Sequence, residues 1–477
     1  MHKKSSALAW GIALALSFAT ARSENLVQVY EAAAKSDPTI LEADARRLAA
    51  LEVKPQARGA LFPQLSANGI YATRNTDSEA TFNQAVDPGP PPVIAIVRNQ
   101  QETDSDFWNV RGQLTQTVFD WAQWQTLQRA DSQVALAEAD YRAAEQDLLV
   151  RVAGRYFDVL AADDTLTAAE ATLQSVNRQL EQAEKRFEVG LIAITDVQEA
   201  RAAHDSATAG VILAKRSLAT ALEFLRELTG EAYTTLVKPA ADMALNEPQP
   251  AEEQTWVDKA TAQNLSVIAA RLDVDIAKDS IKIAQGGHLP RVEIVGEYNK
   301  YDANATQTNN GLTGPADNNQ TQDTIGLQFT LPIFSGGITQ SQVRQQVHLH
   351  RAARERLDGA MRKAERETRD SYLGVIAERA RVGALKQAVK SNQTALEATE
   401  AGFDVGTRTT VDVLDARRRL FEAERDFARS RYDYLINVVR LKSAAGVLAP
   451  GDLGAINELL TTPETLQQTR PAPSPAG

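Results

Sequence analysis

Two long tracts of this chain contain no proline, and this feature constrains the fold more than any other. The tracts are residues 93–238 and 333–449. Proline breaks helices because it lacks an amide hydrogen and clashes with the preceding turn. Each tract therefore has room for very long helices, and we predict that the first runs from about Trp121 to Glu188. Such a helix would extend roughly 100 Å at 1.5 Å per residue, too long for a compact globule.

Apolar residues inside both tracts recur at alternating spacings of four and three. Sustained heptads of this kind are typical of coiled-coil packing. Many of the stripe residues are alanine, which allows neighbouring helices to approach closely. His204 lies on one stripe and is expected to be a packed core residue. The stripes are Ala162, Leu166, Ala169, Leu173, Val176, Leu180, Ala183 and Phe187; then Val197, Ala200, His204, Ala207, Val211, Ala214, Leu218, Ala221 and Leu225; and then Val413, Ala416, Leu420, Ala423, Phe427, Ser430 and Tyr434.

The two tracts are also copies of each other. Phe187-Glu-Val-Gly190 is matched by Phe403-Asp-Val-Gly406, and Gly230 is matched by Gly446 at the same spacing. We therefore interpret the chain as a tandem duplication of strand, strand, long helix, turn and helix. The predicted segments are a first repeat at 24–230, an equatorial linker at 231–255, a second repeat at 256–446, and an equatorial C-terminal segment with a disordered tail at 447–477.

Each repeat contains two strand candidates, in the regions 65–119 and 292–334. Trp108, Val110, Leu114 and Val118 alternate with polar residues, and Ile325 begins a similar series that continues to Ile333. Their partners, near 65–74 and 292–301, are less regular. Strands of about 10 residues suit an outer membrane, although a sheet with one wet face has the same pattern. The polar stretches 75–106 and 302–323 are predicted to be loops.

The N-terminus has the organisation of a secretory signal peptide, assigned to residues 1–23. Lys3 and Lys4 precede an apolar run, and Ala19-Thr20-Ala21 or Ala21-Arg22-Ser23 fits a cleavage site. Because no later stretch has 18 consecutive apolar residues, we expect an exported protein that could cross a membrane only as a β-barrel.

Composition and motifs argue against several function classes. The net charge of -11 disfavours binding to nucleic acid, and the absence of cysteine excludes disulfides, cysteine metal sites and a lipid-anchored N-terminal cysteine. The common nucleotide-binding, metalloprotease and serine hydrolase motifs are absent. His348 and His350 are two residues apart and make a poor metal pair on a helix. We therefore expect no enzyme activity, no metal site and no cofactor.

Two glycine turns and one acidic pair remain as candidate functional features. Gly190 and Gly406 can adopt positive φ and end long helices sharply, which predicts the tips of two helical hairpins. Asp412 and Asp415 lie three residues apart, just after the second turn, and share one helix face. They could be an ordinary acidic helix start. They could instead form a ring of carboxylates that attracts cations if several chains surround a pore.

These residues resemble the TolC family of outer-membrane efflux channels along nearly the whole mature chain. The absence of cysteine matches the branch without a lipid anchor. The segments that carry the resemblance are Glu24-Asn-Leu-Val-Gln-Val-Tyr30, Val189-Gly190-Leu, Ala193-Ile-Thr-Asp196-Val197-Gln198, Gly287-His-Leu-Pro290, Val405-Gly-Thr-Arg-Thr409, Val411-Asp-Val-Leu-Asp415 and Arg431-Tyr-x-Tyr-Leu-Ile-Asn437.

The resemblance implies a mixed α+β membrane protein that forms a homotrimer. Each chain would give four strands to a twelve-stranded outer-membrane β-barrel, continuous with an α-helical coiled-coil barrel in the periplasm. Four strands alone are too few to close a barrel, for which eight is the usual minimum. The family acts as a passive exit duct for drug efflux or one-step (type I) protein secretion. A periplasmic adaptor recruits it, and an inner-membrane transporter supplies the energy.

The resemblance also implies roles for individual residues. Asp412 and Asp415 match a cation-selective ring at the periplasmic entrance. The links that hold the entrance shut match Arg408, Thr195, Asp196, Gln179 and Glu400, and the tips contacted by adaptors match Gly190, Leu191 and Gly406, with Arg408. The chain departs from the family at Phe403, where the family has a tyrosine whose hydroxyl pairs with the residue matching Asp196. This latch is therefore expected to be missing or replaced.

An alternative from another class is an exported trimeric coiled-coil surface stalk or adhesin. It explains the heptads and the export signal. It does not explain why two strand pairs are inserted in duplicate.

Overall fold

The computed structural model describes residues 24–87, 93–240 and 243–465. The predicted signal peptide at 1–23 and the final part of the predicted C-terminal tail, 466–477, lie outside these residues. Within the described residues, none of the helices combines the length and the apolar character needed to cross a membrane.

The order of secondary-structure elements is repeated along the chain, with short helices, strands, a very long helix and a shorter helix in each half. The first half comprises α1 (Leu26–Ser36), α2 (Pro38–Leu51), α3 (Val53–Gly59), β1 (Gln64–Asp87), β2 (Val93–Phe119), α4 (Trp121–Glu188), α5 (Ile194–Thr229) and β3 (Thr235–Pro239). The second half comprises α6 (Glu253–Gln263), α7 (Leu265–Gly286), β4 (Arg291–Asn309), β5 (Leu312–Pro315), β6 (Asn318–Thr330), α8 (Ile338–Asp404), α9 (Thr410–Ala444), α10 (Pro450–Asn457) and β7 (Leu460–Thr465).

The predicted long helices are confirmed. α4 has the bounds expected from the first proline-free tract, and α8 continues for 67 residues in the second. Each helix is followed, two residues after its last helical residue, by a glycine with positive φ, 77° at Gly190 and 80° at Gly406. A side chain is disfavoured in this conformation, so glycine terminates each helix at a defined point.

The chain divides into two compact units. One comprises the described residues up to Ala45, Ala139–Ile268 and the described residues from Gly359 onwards, and the other comprises Arg46–Glu138 and Ala269–Asp358. Each unit therefore takes segments from both halves of the sequence. The boundaries of the two predicted repeats stay a prediction.

The second unit contains an antiparallel sheet in the order β1, β2, β4, with β5 and β6 both pairing with β4. β1 and β2 are 24 and 27 residues long, so most of the stretch 75–106 forms strand and the predicted loop there is wrong. The stretch 302–323 is likewise mostly strand. The physical reason is that ladder hydrogen bonds join backbone groups, so a strand continues through polar sequence once its register is set.

A two-residue turn at Asn310-Gly311 joins β4 to β5, and both residues have positive φ. Asn-Gly is the preferred pair for such hairpin turns, so this dipeptide was the sequence signal for the missed hairpin. At the other end, β6 stops at Thr330 rather than continuing to Ile333. Pro332 has no amide hydrogen to donate to the ladder, which explains the earlier end.

The core of the first unit is built from the large side chains of α4 and α9. Tyr156, Phe157 and Tyr432 are fully buried, and the rings of Phe157 and Tyr432 stack with centroids 5.8 Å apart. The Tyr156 hydroxyl donates to the Val237 carbonyl at 2.7 Å and accepts from the Val237 amide at 3.0 Å. Residues of the predicted heptad stripes, including Leu166, Leu218 and Leu225, join this core. His204 does not, because it is only half-buried beside Asp205.

Candidate functional site at the tips of two helical hairpins

The two long helices reverse direction in turns of the same construction. In the first, the Gly190 amide donates to the Phe187 carbonyl and the Leu191 amide to the Arg186 carbonyl, both at 2.8 Å. In the second, the Gly406 amide donates to the Phe403 carbonyl at 3.0 Å. α5 and α9 begin a few residues later, so α4 with α5 and α8 with α9 form two hairpins, here called the first and second hairpins.

The predicted tip residues are exposed in the described chain. The side chain of Leu191 is 72% exposed, and a Cβ added at Gly190 or Gly406 would meet no atom within 4 Å. These turns therefore present open surface. Their glycines are required by backbone conformation and not by close packing.

In each hairpin, a glutamate on the helix that leads to the tip pairs with an arginine on the helix that follows it. The two pairs occupy corresponding positions of the two copies. In the first hairpin, Arg201 Nη2 lies 3.0 Å from Glu184 Oε1. In the second, Arg417 pairs with Glu400. We did not predict these pairs. The signal was available, because a glutamate and an arginine recur at identical spacing after the duplication.

Asp412 lies in the first turn of α9, where it exchanges capping hydrogen bonds with Thr409. Its Oδ2 atom accepts from the Thr409 amide and from the Thr409 hydroxyl, both at 2.9 Å, and the Asp412 amide donates to that hydroxyl at 3.3 Å. The Thr409 amide hydrogen bond, then the hydroxyl hydrogen bond, and also the nearby charge of Arg408, lower the pKa of Asp412 from its ordinary value of 3.8. This carboxylate is therefore firmly ionised at neutral pH.

Asp415 lies one helical turn further and has a different environment. Its Oδ1 atom is 3.0 Å from Arg418 Nη2. Asp415 also lines a groove of about 690 Å³ between α4, α5 and α9, together with Arg417, Arg418 and Arg425. The two predicted ring residues are therefore not equivalent, because the charge of Asp415 is balanced by neighbouring arginines and that of Asp412 is stabilised by hydrogen bonds.

The predicted latch residues gather near the two tips, but the chain does not join them to one another. The Arg408 amide donates to the Gly402 carbonyl at 3.2 Å, and Asp196 Oδ2 accepts from the Ala193 amide at 3.3 Å. Thr195 is exposed in the first turn of α5. Over the residues that the structure describes, no hydrogen bond links Arg408 to Thr195 or Asp196, and the buried Oε1 atom of Gln179 has no partner.

Phe403 makes a contact between the two hairpins that sequence reasoning did not identify. The guanidinium carbon of Arg186, in the last turn of α4, lies 4.8 Å from the centroid of the Phe403 ring near the end of α8. A cation over an aromatic face is attracted by the electron density of the ring. A cation–π contact therefore occurs at the position where the predicted hydroxyl latch is missing.

Comparison with known proteins gives consistent matches along the chain. A family model described as "Outer membrane efflux protein" matches residues 29–231 and 256–447. The chain is 36% identical over 467 residues to outer membrane protein TolC of Escherichia coli (strain K12), covering 97% of this chain and 90% of that protein. It is 27% identical over 447 residues to the alkaline protease secretion protein AprF of Pseudomonas aeruginosa, covering 93% of this chain and 89% of AprF.

Among solved structures, the fold is similar to that of the outer membrane protein VceC from Vibrio cholerae. The TM-score is 0.67 at 21% sequence identity, covering 88% of this chain and 96% of VceC. The similarity in fold therefore extends over most of both chains.

Proposed function

Because this chain belongs to the outer membrane efflux protein family and is an outer-membrane exit duct for efflux and type I protein secretion, we propose that its hairpin tips form the gated periplasmic entrance of the duct. The match to efflux proteins along nearly the whole chain is the observation that carries this function. The family consists of conduits rather than enzymes, so we propose no catalytic step in this chain. The same match argues against the surface stalk.

We propose that the working unit is a homotrimer. The described sheet has β1 at one edge and β6 opposite, and unpaired strand edges are a liability that proteins normally cover. β5 and β6 pair with successive parts of β4 and together fill one strand position, so each sheet has four positions. Three such sheets joined edge to edge would close into a cylinder of twelve positions, which one chain cannot do. A detergent-solubilised particle with the mass of one chain would contradict this proposal.

We propose that a periplasmic adaptor binds the tips and that an inner-membrane transporter supplies the energy. Leu191 is an exposed apolar residue at the first tip, next to the similarly exposed Val189, and Gly190 and Gly406 leave the surrounding surface open. Photocrosslinking from position 191 in the periplasm tests this contact. Crosslinks to this chain alone would count against an adaptor.

The boundaries of the two repeats remain part of the proposal, at 24–230 and 256–446, with 231–255 and 447–477 as equatorial segments. The family model matches the chain twice, over closely similar ranges, and the repeated order of elements supports the same division.

We propose that opening is a rotation of the second hairpin, about Gly406, against the first hairpin, about Gly190. The Glu184–Arg201 and Glu400–Arg417 pairs lie within the hairpins, so they can persist while the hairpins separate. The links that break would then lie between hairpins or between chains, and would involve Arg408, Thr195, Asp196 and Gln179. Glu400 is already paired with Arg417 inside the second hairpin, so it can contribute to a link between hairpins only while it also keeps that ion pair.

We further propose that Asp412 and Asp415 form the cation-binding ring of the entrance. Three copies would place six carboxylates at one constriction. Because Asp415 is paired with Arg418, the negative potential there would come mainly from Asp412. Replacing both with alanine is expected to weaken block by multivalent cations in single-channel recordings. The matched control is Asp426→Ala with Asp433→Ala, which removes the same charge from α9 roughly 16 Å or more further along the helix. Unchanged block in the entrance variant would remove Asp412 and Asp415 from the pore.

A further inference from the structure

The two faces of the sheet in the second unit differ sharply in chemistry. Residues directly opposite one another on neighbouring strands share a face, so the strand registers assign every side chain to one of two sides. One side, here called the apolar face, carries Leu65 and Tyr71 on β1, Trp108, Val110 and Leu114 on β2, Ile294 and Tyr298 on β4, and Ile325 and Leu327 on β6. Most of these side chains are exposed in the single chain, from Leu114 at 36% to Ile325 at 88%, whereas Val110 is half-buried. The same face also carries two charged residues, Lys300 opposite Val110 and Asp323 opposite Tyr298.

The apolar face has a definite height. On β1 it extends from Leu65 to Tyr71, six residue steps or about 20 Å along the strand at 3.3 Å per residue. Beyond Tyr71 and its partner Trp108, the same face continues with Thr73 and Asp106. An apolar band of about 25 Å ending in aromatic side chains is typical of strands that cross an outer membrane. In this outer-membrane protein the apolar face therefore contacts lipid.

The opposite side, here called the polar face, is lined mainly by polar and charged side chains over the same height, with Ile70 and Val295 as apolar exceptions. It carries Asn68 on β1, Arg111 and Gln113 on β2, Glu297 and Asn299 on β4, and Gln322 and Thr324 on β6. Because one face contacts lipid, the other faces the water of the duct.

Two of these residues are charged and are paired with each other. Arg111 Nε lies 3.1 Å from Glu297 Oε1, and the side chains are 53% and 50% exposed. Arg111 lies opposite Asn299, and Gln113 lies opposite Glu297, so the ion pair runs diagonally between β2 and β4. Along β2 the pair lies between Val110 and Leu114, so it is at the same height in the sheet as the apolar band on the opposite face. The pair is thus a balanced charge exposed to water inside the membrane-spanning part of the wall.

We propose that Arg111 and Glu297 together determine the ion preference of the membrane section of the duct, each cancelling the charge of the other. This inference rests on the proposed trimeric conduit, in which three such pairs line the wall. Removing one member of the pair leaves three uncompensated charges of one sign on the wall of the trimer. The intact pair keeps this section neutral and leaves cation selection to the entrance.

The test is a set of reversal potentials measured across a KCl gradient in planar bilayers. The background carries Asp412→Ala and Asp415→Ala, so that the entrance does not dominate the measurement. Salt near 0.01 M extends the Debye length to about 30 Å, so that wall charges act across the lumen. Glu297→Gln is expected to shift the reversal potential toward anion preference, and Arg111→Gln toward cation preference. The double variant is expected to return to the background value.

Two controls separate this inference from the proposed function. Lys300→Gln removes a charge from the side of the sheet that carries the apolar residues, and is expected to leave the reversal potential unchanged. Arg111→Lys keeps the charge and is expected to match the background even if Arg111→Gln assembles poorly. Conducting channels in which the single variants do not shift in opposite directions would overturn the inference and leave the conduit intact. A background protein that does not conduct would count against the conduit itself.

Discussion

Hydrogen bonds from Thr409, in the turn before α9, stabilise the ionised form of the Asp412 carboxylate. A pKa below the ordinary value means that the folded chain favours the ionised form. Its contribution to the stability of the turn is fully present above the ordinary pKa, and is lost as the pH falls through the lowered pKa. Asp412 should therefore keep its charge in acidic conditions that neutralise an ordinary aspartate.

Thr409→Val tests this protection because it removes the hydroxyl and keeps the backbone amide. We expect the pKa of Asp412 to rise toward 3.8, so that block by multivalent cations is lost at a higher pH than in the parent. Single-channel recordings over a series of acidic pH values measure this shift. Thr409→Ser keeps the hydroxyl and serves as the control. Identical pH profiles for valine and serine would show that the hydroxyl does not influence the charge.

In the proposed latch, Phe403 would provide a weaker link than the tyrosine that the family resemblance implies. A hydrogen bond to a charged group contributes about 1.5–3 kcal/mol, whereas an exposed cation–π contact contributes about 0.5–1 kcal/mol. The Arg186–Phe403 contact therefore replaces only part of a tyrosine latch, and the closed state of this chain should leak more readily.

Substitutions at position 403 measure how much less the phenylalanine contact stabilises the closed state than a tyrosine hydrogen bond would. Phe403→Tyr is expected to reduce the conductance of the closed channel, because the family resemblance pairs a tyrosine hydroxyl at this position with the residue matching Asp196. Phe403→Leu is expected to increase the open population about two- to five-fold, the factor that corresponds to losing about 0.5–1 kcal/mol. Single-channel conductance and open probability are the readouts. Equal values for phenylalanine and tyrosine would refute the weaker latch.

At the scale of elements, the duplicated glutamate–arginine pairs make each hairpin a separate unit. They join α4 to α5 and α8 to α9 near the tips, where the helices are otherwise held by few buried side chains. The two pairs differ in exposure, because the Arg417 side chain is 23% exposed and that of Arg201 is 54% exposed. Solvent screening weakens the more exposed pair.

Double-mutant cycles with Glu→Gln and Arg→Met at each pair test this difference. Exposed ion pairs contribute about 0.2–1 kcal/mol, and we expect the Glu400–Arg417 coupling to lie near the upper end and the Glu184–Arg201 coupling near the lower. Unfolding monitored by hydrogen exchange of the tip amides gives both values. The first hairpin should also be the more sensitive to salt. A larger coupling in the first hairpin would contradict the argument from exposure.

At the scale of the whole molecule, the two halves of the sequence are joined by a buried polar cluster in the first unit. Lys238 Nζ of β3 lies 2.9 Å from Asp163 Oδ2 and 2.8 Å from Asp164 Oδ1, both on α4. The Tyr432 hydroxyl of α9 donates to Asp164 Oδ2 at 2.6 Å. Burial is the main cause that raises the pKa of Tyr432, so its hydroxyl stays protonated and remains a donor.

Lys238→Met is expected to be among the most destabilising single changes. It removes a cation that lies 2.9 Å from the carboxylate of Asp163, whose side chain is 2% exposed, and removing one member of a buried ion pair costs about 3–5 kcal/mol. Tyr432→Phe removes one hydrogen bond and should cost less, about 1–3 kcal/mol. Thermal unfolding of the detergent-solubilised protein should rank the two in this order. The reverse order would mean that the aspartates find other partners.

Much of the fold was predictable from particular residues. Proline-free tracts and positive-φ glycines specify the helices and their ends, because helix breaking and left-handed backbone are local properties of the chain. The stretches 75–79 of β1 and 98–106 of β2 were not predictable from side-chain pattern, because polar residues lie on both faces there. The hairpin turn at Asn310-Gly311 could have been predicted from the known preference of two-residue hairpin turns for the Asn-Gly pair.

The sequence by itself determined the helical hairpins, the duplication, the apolar side of the strands and the position of the acidic pair. The tertiary structure decided which charges pair, Glu184 with Arg201, Glu400 with Arg417 and Arg111 with Glu297. It also decided that Asp412 and Asp415 have different environments and that Arg186 covers Phe403. The physical reason is that helix limits and strand faces follow from local backbone preference and period, whereas a charge contact depends on which elements pack together.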